Sequence, residues 1–212
     1  MESYIAGTDE AGRGPVIGPL VVCCAYCKRE HEKKLNQLCK KDSKQLSPSQ
    51  RESILAELKK FCEFKWVEIS AADLNGLMSR MSLNDIEAKV MAALGSKLKN
   101  AELMIDMPDR YGRTFRKRME KFGCTKFEAE HKADEKYPIV AAASICAKVV
   151  RDEKIEKIKA QVGFDFGSGY PSDERTRDAL RNRDSLAKLK PFIRTKWKTL
   201  ETVTQKKLFE GE

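Results

Sequence analysis

The sequence predicts an α/β domain with a mixed sheet of about five strands flanked by helices. Three observations point there. Tyr4 to Thr8 and Val16 to Tyr26 are apolar runs joined by a short connection through Gly12, Gly14 and Pro15, the pattern of an antiparallel strand pair. Three further short runs, Phe64 to Ile69, Glu102 to Asp106 and Lys126 to Glu130, alternate with helical patterns. A chain of 212 residues with 41% hydrophobic content is long enough to bury one sizeable core.

The helices follow from their own signals. A charged helix is expected near Glu30 to Lys40. Ser47-Pro48-Ser49-Gln50 opens the next with a capping box and proline at its first position, and Ile54, Leu55, Leu58, Phe61 and Cys62 form its apolar stripe. Ser82 caps another, with Ile86, Val90, Leu94 and Leu98 on one side. Thr114 to Phe122 is basic and helical. Pro138 to about Val162 predicts a long helix, buried in its first half (Ile139 to Ile145) and charged in its second. Gly167 to Pro171 is a turn, after which Ser172-Asp173-Glu174 starts one more helix. There is no internal repeat or low-complexity segment. The division expected is a catalytic domain over 1–165 and a helical C-terminal extension over 166–212.

Charge narrows the class. The net charge is +9, from 41 basic and 32 acidic residues, which favours phosphate backbones as partners. Between Arg181 and Leu200, seven basic residues accompany a single acid, Asp184. Such a run is read either as a solvated face or as a phosphate-binding surface. The seven cysteines are an odd number in a chain this long, against a disulfide framework. Cys24 and Cys27 lie three apart on an expected strand, on opposite faces, and so read as structural thiols rather than a metal pair. A reducing cytosol follows. No secretory signal or spanning segment is visible, so a cytoplasmic protein away from membranes is expected.

The chemistry is expected where acids end strands. Asp9-Glu10-Ala11-Gly12-Arg13-Gly14 sets two carboxylates beside an arginine flanked by glycines. Carboxylates suit a divalent cation, and Gly-Arg-Gly lets amides and a guanidinium approach a phosphate or sugar. Asp106 ends a strand that meets Asp9 if the two strands are parallel neighbours. Glu10 lies one step further, where a turn would swing it to the same side; on an uninterrupted strand it would face away. Asp134, before the long helix, is the fourth candidate. Read singly, Asp134 serves equally as a helix cap and Asp106 as a turn residue; Asp109 rivals Asp106. His131 is either a proton handler or structural. Tyr170, between Gly169 and Pro171, either stacks on a sugar or packs. Lys44, Arg194, Lys196 and Lys198 are candidate phosphate contacts, and Trp197 either stacks on a base or is covered by the tail.

These motifs, in order, resemble those of type 2 ribonuclease H, ribonuclease HII. The resemblance is carried by Asp-Glu-Ala-Gly-Arg-Gly-Pro-Val-Ile-Gly-Pro-Leu from Asp9, Asp42-Ser43-Lys44-Gln45-Leu46-Ser47 and His131-Lys132-Ala133-Asp134. Ala141 to Lys148, Gly167 to Asp173 and Trp197-Lys198-Thr199 continue it. The length resembles the archaeal single-chain form. The resemblance implies a ribonuclease H-like fold and four metal-binding acids: Asp9, Glu10, Asp106 and Asp134. It implies two Mg²⁺ or Mn²⁺ ions that hydrolyse the RNA strand of RNA/DNA hybrids and cut 5′ to single ribonucleotides in duplex DNA, in replication and repair. Gly12, Arg13 and Gly14 together with Tyr170 would read the RNA–DNA junction. A monomer is expected, and Gln205 to Phe209, a glutamine before a hydrophobic end, points to a sliding clamp as partner.

Overall fold

A computed structural model of the chain describes residues 3–39, 45–98 and 100–200. The sheet has five strands in the order β3-β2-β1-β4-β5: β1 Tyr4–Ala11, β2 Leu20–Lys28, β3 Glu63–Ile69, β4 Ala101–Asp106 and β5 Glu128–Glu130. β1 pairs antiparallel with β2 and parallel with β4, which in turn pairs parallel with β5. The predicted mixed sheet is present, with β1 at its centre.

The helices are α1 Glu32–Leu38, α2 Pro48–Leu58, α3 Ala71–Leu77, α4 Leu83–Gly95, α5 Gly112–Lys121, α6 Ala133–Lys136, α7 Pro138–Val162, α8 Glu174–Arg181 and α9 Arg183–Leu189. Ser47 and Gln50 form the predicted capping box on α2, and Ser82 accepts the Asp85 N–H at the start of α4. α7 has the predicted limits.

Some boundaries differ from the expectations. β2 starts at Leu20 rather than Val16, because Gly18 turns the chain with φ +92° just before Pro19. Val16 and Ile17 instead donate their N–H groups to the Gly169 carbonyl, at 2.9 and 3.3 Å. A 3-10 turn over Arg29–His31 precedes α1, which is shorter than its charge pattern suggests. α3, capped by Ser70, and the four-residue α6 have no counterpart in the expectations. On α4 the buried face is Ile86, Ala88, Met91, Ala92 and Leu94, whereas Val90 and Leu98 are only half-buried.

The chain divides into two compact units. The first comprises the residues up to Ala11, Val21–Val67 and Met81–Val150, and holds nearly all of the sheet. Its core sets Ile139, Val140, Ala142 and Ala143 of α7 against Ile5, Ala25 and Cys27 of the sheet. A close approach occurs at Gly7: a Cβ there would lie 2.5 Å from the backbone of Ile139 and Val140. Only glycine allows α7 so near β1. The second unit comprises Gly12–Leu20, Glu68–Arg80 and the chain from Arg151 on. Its core joins Val16 and Ile17 to Ile155, Ile158, Phe166, Leu180, Leu189 and Ile193.

Candidate active site

Asp9 lies near the end of β1 and Asp106 ends β4. The parallel ladder between these strands runs from Tyr4–Ala101 to Thr8–Ile105, so the two aspartates hold the next register position. Asp134 lies in α6, where burial leaves it 7% exposed. It is neither in the loop before α7 nor the cap of that helix; Tyr137 separates the two. The left-handed φ of Lys132, +56°, turns the chain into α6. The Asp106 carboxylate accepts the N–H of Ala133 at 2.8 Å, which ties the residue beside Asp134 to the end of β4.

The charges of Asp106 and Asp134 both act on Asp9. Burial first, then the charge of Asp106 and, to a smaller degree, that of Asp134 together push the Asp9 carboxyl up to about 7. Two hydrogen bonds oppose these effects, from the Ser144 hydroxyl and from the Glu10 backbone N–H, the latter at 2.7 Å. Ser144 is placed by the tight contact at Gly7. Two strand residues advance about 6.7 Å and four or five helical residues about 6–7.5 Å, so the meeting of Gly7 with Ile139 and Val140 carries forward to Asp9 and Ser144.

Glu10 is placed differently from the expectation of a turn residue. β1 continues through Ala11, with Glu10 paired to Val22. Neighbouring strand side chains point to opposite faces, and what Glu10 gives to Asp9 is its backbone N–H. Asp109 is no rival to Asp106. It is 4% exposed, and its carboxylate accepts from Arg118 Nε at 3.0 Å and from Asn84. Arg118 also pairs with Asp85 at the start of α4. The expected ambiguity resolves into one metal candidate and one structural acid.

The donor set is all oxygen, which suits Mg²⁺ or Mn²⁺ rather than a soft metal. Among the described residues, no three His, Cys, Asp or Glu side chains form a ready-made cage. Clustered carboxylates with a raised Asp9 fit an open site, where water and substrate oxygens complete the shell. A cavity of about 650 Å³, lined by Ile5, Leu35, Leu103 and Ile139 among others, includes none of these acids. Long substrates reach open sites.

The other predicted residues divide sharply. Arg194 is not a phosphate contact: it is fully buried, donating to the carbonyls of Gly12 at 2.7 Å and Gly18 at 2.8 Å. It braces the 12–18 loop from beneath, and its guanidinium lies 4.8 Å from the Trp197 ring. Trp197 is half-buried against the second unit's core. Lys196 and Lys198 are exposed, as a phosphate contact requires. Arg13 is half-buried and Gly14 exposed; Gly14 meets the half-buried Tyr170 ring, 3.3 Å from where a Cβ would stand. Exposed His131 lies 3.3 Å from the Arg110 carbonyl. Lys44 and Gln205 to Phe209 lie outside the described residues. The sequence reading missed Ser144 and Arg151. A lone hydroxyl in the apolar start of α7 was the available signal for the first; nothing in its pattern marked the second.

A central parallel pair with clustered aspartates in a mixed five-stranded sheet defines a ribonuclease H-like, metal-dependent phosphodiester hydrolase. The family model described as Ribonuclease HII matches residues 6–200. Ribonuclease HII of Archaeoglobus fulgidus is 41% identical over 203 residues, covering 96% of this chain and 98% of that protein. The enzyme in the PCNA:RNase HII complex from that organism superposes with a TM-score of 0.85 at 42% identity, covering 95% of this chain and 97% of the other. The ribonuclease H2 of Pyrococcus horikoshii gives 0.82 at 38% identity, covering 95% and 97%. The chain belongs to the ribonuclease HII family. It is therefore a divalent-metal-dependent ribonuclease H, which cleaves the RNA strand of RNA/DNA hybrids. Among the described residues, no helix is long and apolar enough to cross a membrane.

Proposed function

We propose that the chain also cuts 5′ to single ribonucleotides embedded in duplex DNA, by two-metal-ion catalysis, and so removes ribonucleotides and RNA primers during replication and repair. The observation that carries this is the convergence of Asp9 and Asp106 just beyond the end of the β1–β4 ladder, with the segment of Asp134 tied to Asp106 through the Ala133 N–H. Three carboxylates so placed repel one another until divalent cations compensate them. When bound, two Mg²⁺ or Mn²⁺ ions would lower the pKa of a water and stabilise the leaving 3′-oxygen.

The chain's own residues supply the rest. Asp9, Asp106 and Asp134 are the ligands, with Glu10 a fourth on the strength of the family motif. The Ser144 hydroxyl and the Glu10 N–H favour the anionic form of Asp9 that a cation needs. The Ala133 N–H orients the Asp106 carboxylate. Gly12, Arg13, Gly14 and Tyr170 read the ribose, whose 2′-hydroxyl both donates and accepts. Lys44, Lys196 and Lys198 hold phosphates, and the extension from residue 166 serves as the substrate-binding arm. We further infer a monomer that works in a reducing cytoplasm, in keeping with its unbridged cysteines. A sliding clamp is a partner in this reading, since the Archaeoglobus fulgidus neighbour was solved with PCNA.

The test is a DNA duplex carrying one ribonucleotide, incubated with Mg²⁺ or Mn²⁺. Cleavage at its 5′ side is expected from the parent and absent from Asp9→Asn. Cutting restricted to continuous hybrids would overturn the single-ribonucleotide reading.

A further inference from the structure

Arg151 is 5% exposed in α7 and holds no place in the catalytic or phosphate-binding sets. Its surroundings are specific. Nη2 donates to the Ser168 carbonyl at 2.8 Å. The guanidinium lies over the Tyr170 ring, 5.1 Å from its centroid. Cδ and Nε pack on Gly12, where a Cβ would come within 2.9 Å of both. The Asp152 carboxylate, 3.6 Å from Nη1, is its close acidic neighbour.

These contacts join two loops of one unit. Gly12 belongs to the Gly-Arg-Gly loop; Ser168 and Tyr170 belong to the turn before α8. Two more links run alongside: Val16 and Ile17 donate to the Gly169 carbonyl, and the Gly14 backbone meets the Tyr170 ring. Arg151 touches both partners of the ribose reader at once. A guanidinium suits that position because its edge donates to a carbonyl while its face covers a ring. Lysine, a point charge on a flexible stem, cannot do both.

We propose that Arg151 is a positioning residue for ribose recognition, fixing the Tyr170 ring against the Gly12–Gly14 loop without touching substrate itself. This rests on the assignment of Tyr170 and the Gly-Arg-Gly loop as the ribose reader. Misplacing a reading group by a fraction of an ångström impairs the aligned complex more than the encounter, so the loss falls on kcat.

The experiment compares the parent, Arg151→Lys, Tyr170→Ala and the double variant on two substrates: a DNA duplex with one ribonucleotide and a continuous RNA/DNA hybrid. Arg151→Lys is expected to lower kcat on the single-ribonucleotide duplex about tenfold, with KM within about twofold and a smaller loss on the hybrid. Added to Tyr170→Ala it should cost nothing more, because it acts through that ring. If Tyr170→Ala cuts the single-ribonucleotide duplex as the parent does, the ribose reading falls and this inference with it. If Tyr170→Ala loses that cleavage while Arg151→Lys retains it, or the two losses multiply, the positioning role alone is wrong. Should Arg151→Lys fail to fold, the Arg151 Nε–H resonance of the parent decides. An upfield ring-current displacement that disappears in Tyr170→Ala supports the stacking; no displacement overturns it.

Discussion

Asp9 and Asp106 occupy the register position immediately beyond Thr8 and Ile105, the last pair of the β1–β4 ladder. The sheet itself therefore sets the spacing of two candidate metal ligands. It also forces two like charges together in a place where Asp9 is 5% exposed.

That juxtaposition predicts a pH effect on the metal-free protein. Burial and Asp106 push Asp9 up to about 7 from an ordinary 3.8. Between these values the folded state binds more protons than the unfolded state, so stability falls as pH rises through that window and levels off above it. In the presence of a chelator, the melting temperature of the parent relative to Asp9→Asn should decline from pH 4.5 to 7.5. Mn²⁺ should recover it at pH 7.5 in the parent alone. A difference between the two proteins that is independent of pH would refute the coupling.

Ser144→Ala removes a hydrogen bond that holds the Asp9 carboxyl down. The acid limb of the kcat/KM profile should move to higher pH, and half-saturation with Mn²⁺ should require a severalfold higher concentration. Stability should change by about 1 kcal/mol. An unmoved limb with unchanged metal dependence would exclude Ser144 from the site.

Asp106→Asn and Asp109→Asn should separate cleanly. The first is expected to abolish cleavage while leaving the fold intact. The second weakens a carboxylate bound to Arg118 and Asn84, and should retain activity at low temperature but unfold in less urea, by about 2–4 kcal/mol. Loss of catalysis in a well-folded Asp109→Asn would reinstate Asp109 as a ligand.

Exposed Lys196 and Lys198 should carry salt-dependent affinity, and buried Arg194 none. Removing both lysines should reduce the slope of log affinity against log salt by about 2, at roughly 0.9 per phosphate contact. Arg194→Met should leave the slope alone and lower the melting temperature, because the Gly12 and Gly18 carbonyls lose their donor. Equal slopes for all three proteins would end the tail-lysine assignment.

Much of the fold is legible where one local signal suffices. The Ser47–Gln50 capping box, the limits of α7 and the strand ending at Asp106 are each written in a few adjacent residues. α6 escapes because four residues are too few for a helical period, and α3 is barely longer. The start of β2 was hidden because Val16 and Ile17 are as apolar as a strand requires, although their amides bond elsewhere. Asp106 follows from a strand end alone; Asp9 was read by the same signal, although β1 runs on past it to Ala11. Arg194 misleads because arginine normally sits in water; its burial is set by carbonyls 176 and 182 positions away in the chain. Ser144 needed the packing of α7 on β1, a long-range fact.

The Gly7 contact has a meaning beyond packing. Most helices rest on a sheet through a cushion of side chains, and a cushion can be rebuilt one methylene at a time. Here backbone lies on backbone at the point that aligns Ser144 with Asp9, so there is nothing to rebuild. The alignment has no intermediate settings. A population of such molecules should lose activity by losing working members, each survivor cutting at full speed, rather than by a gradual slowing of every copy.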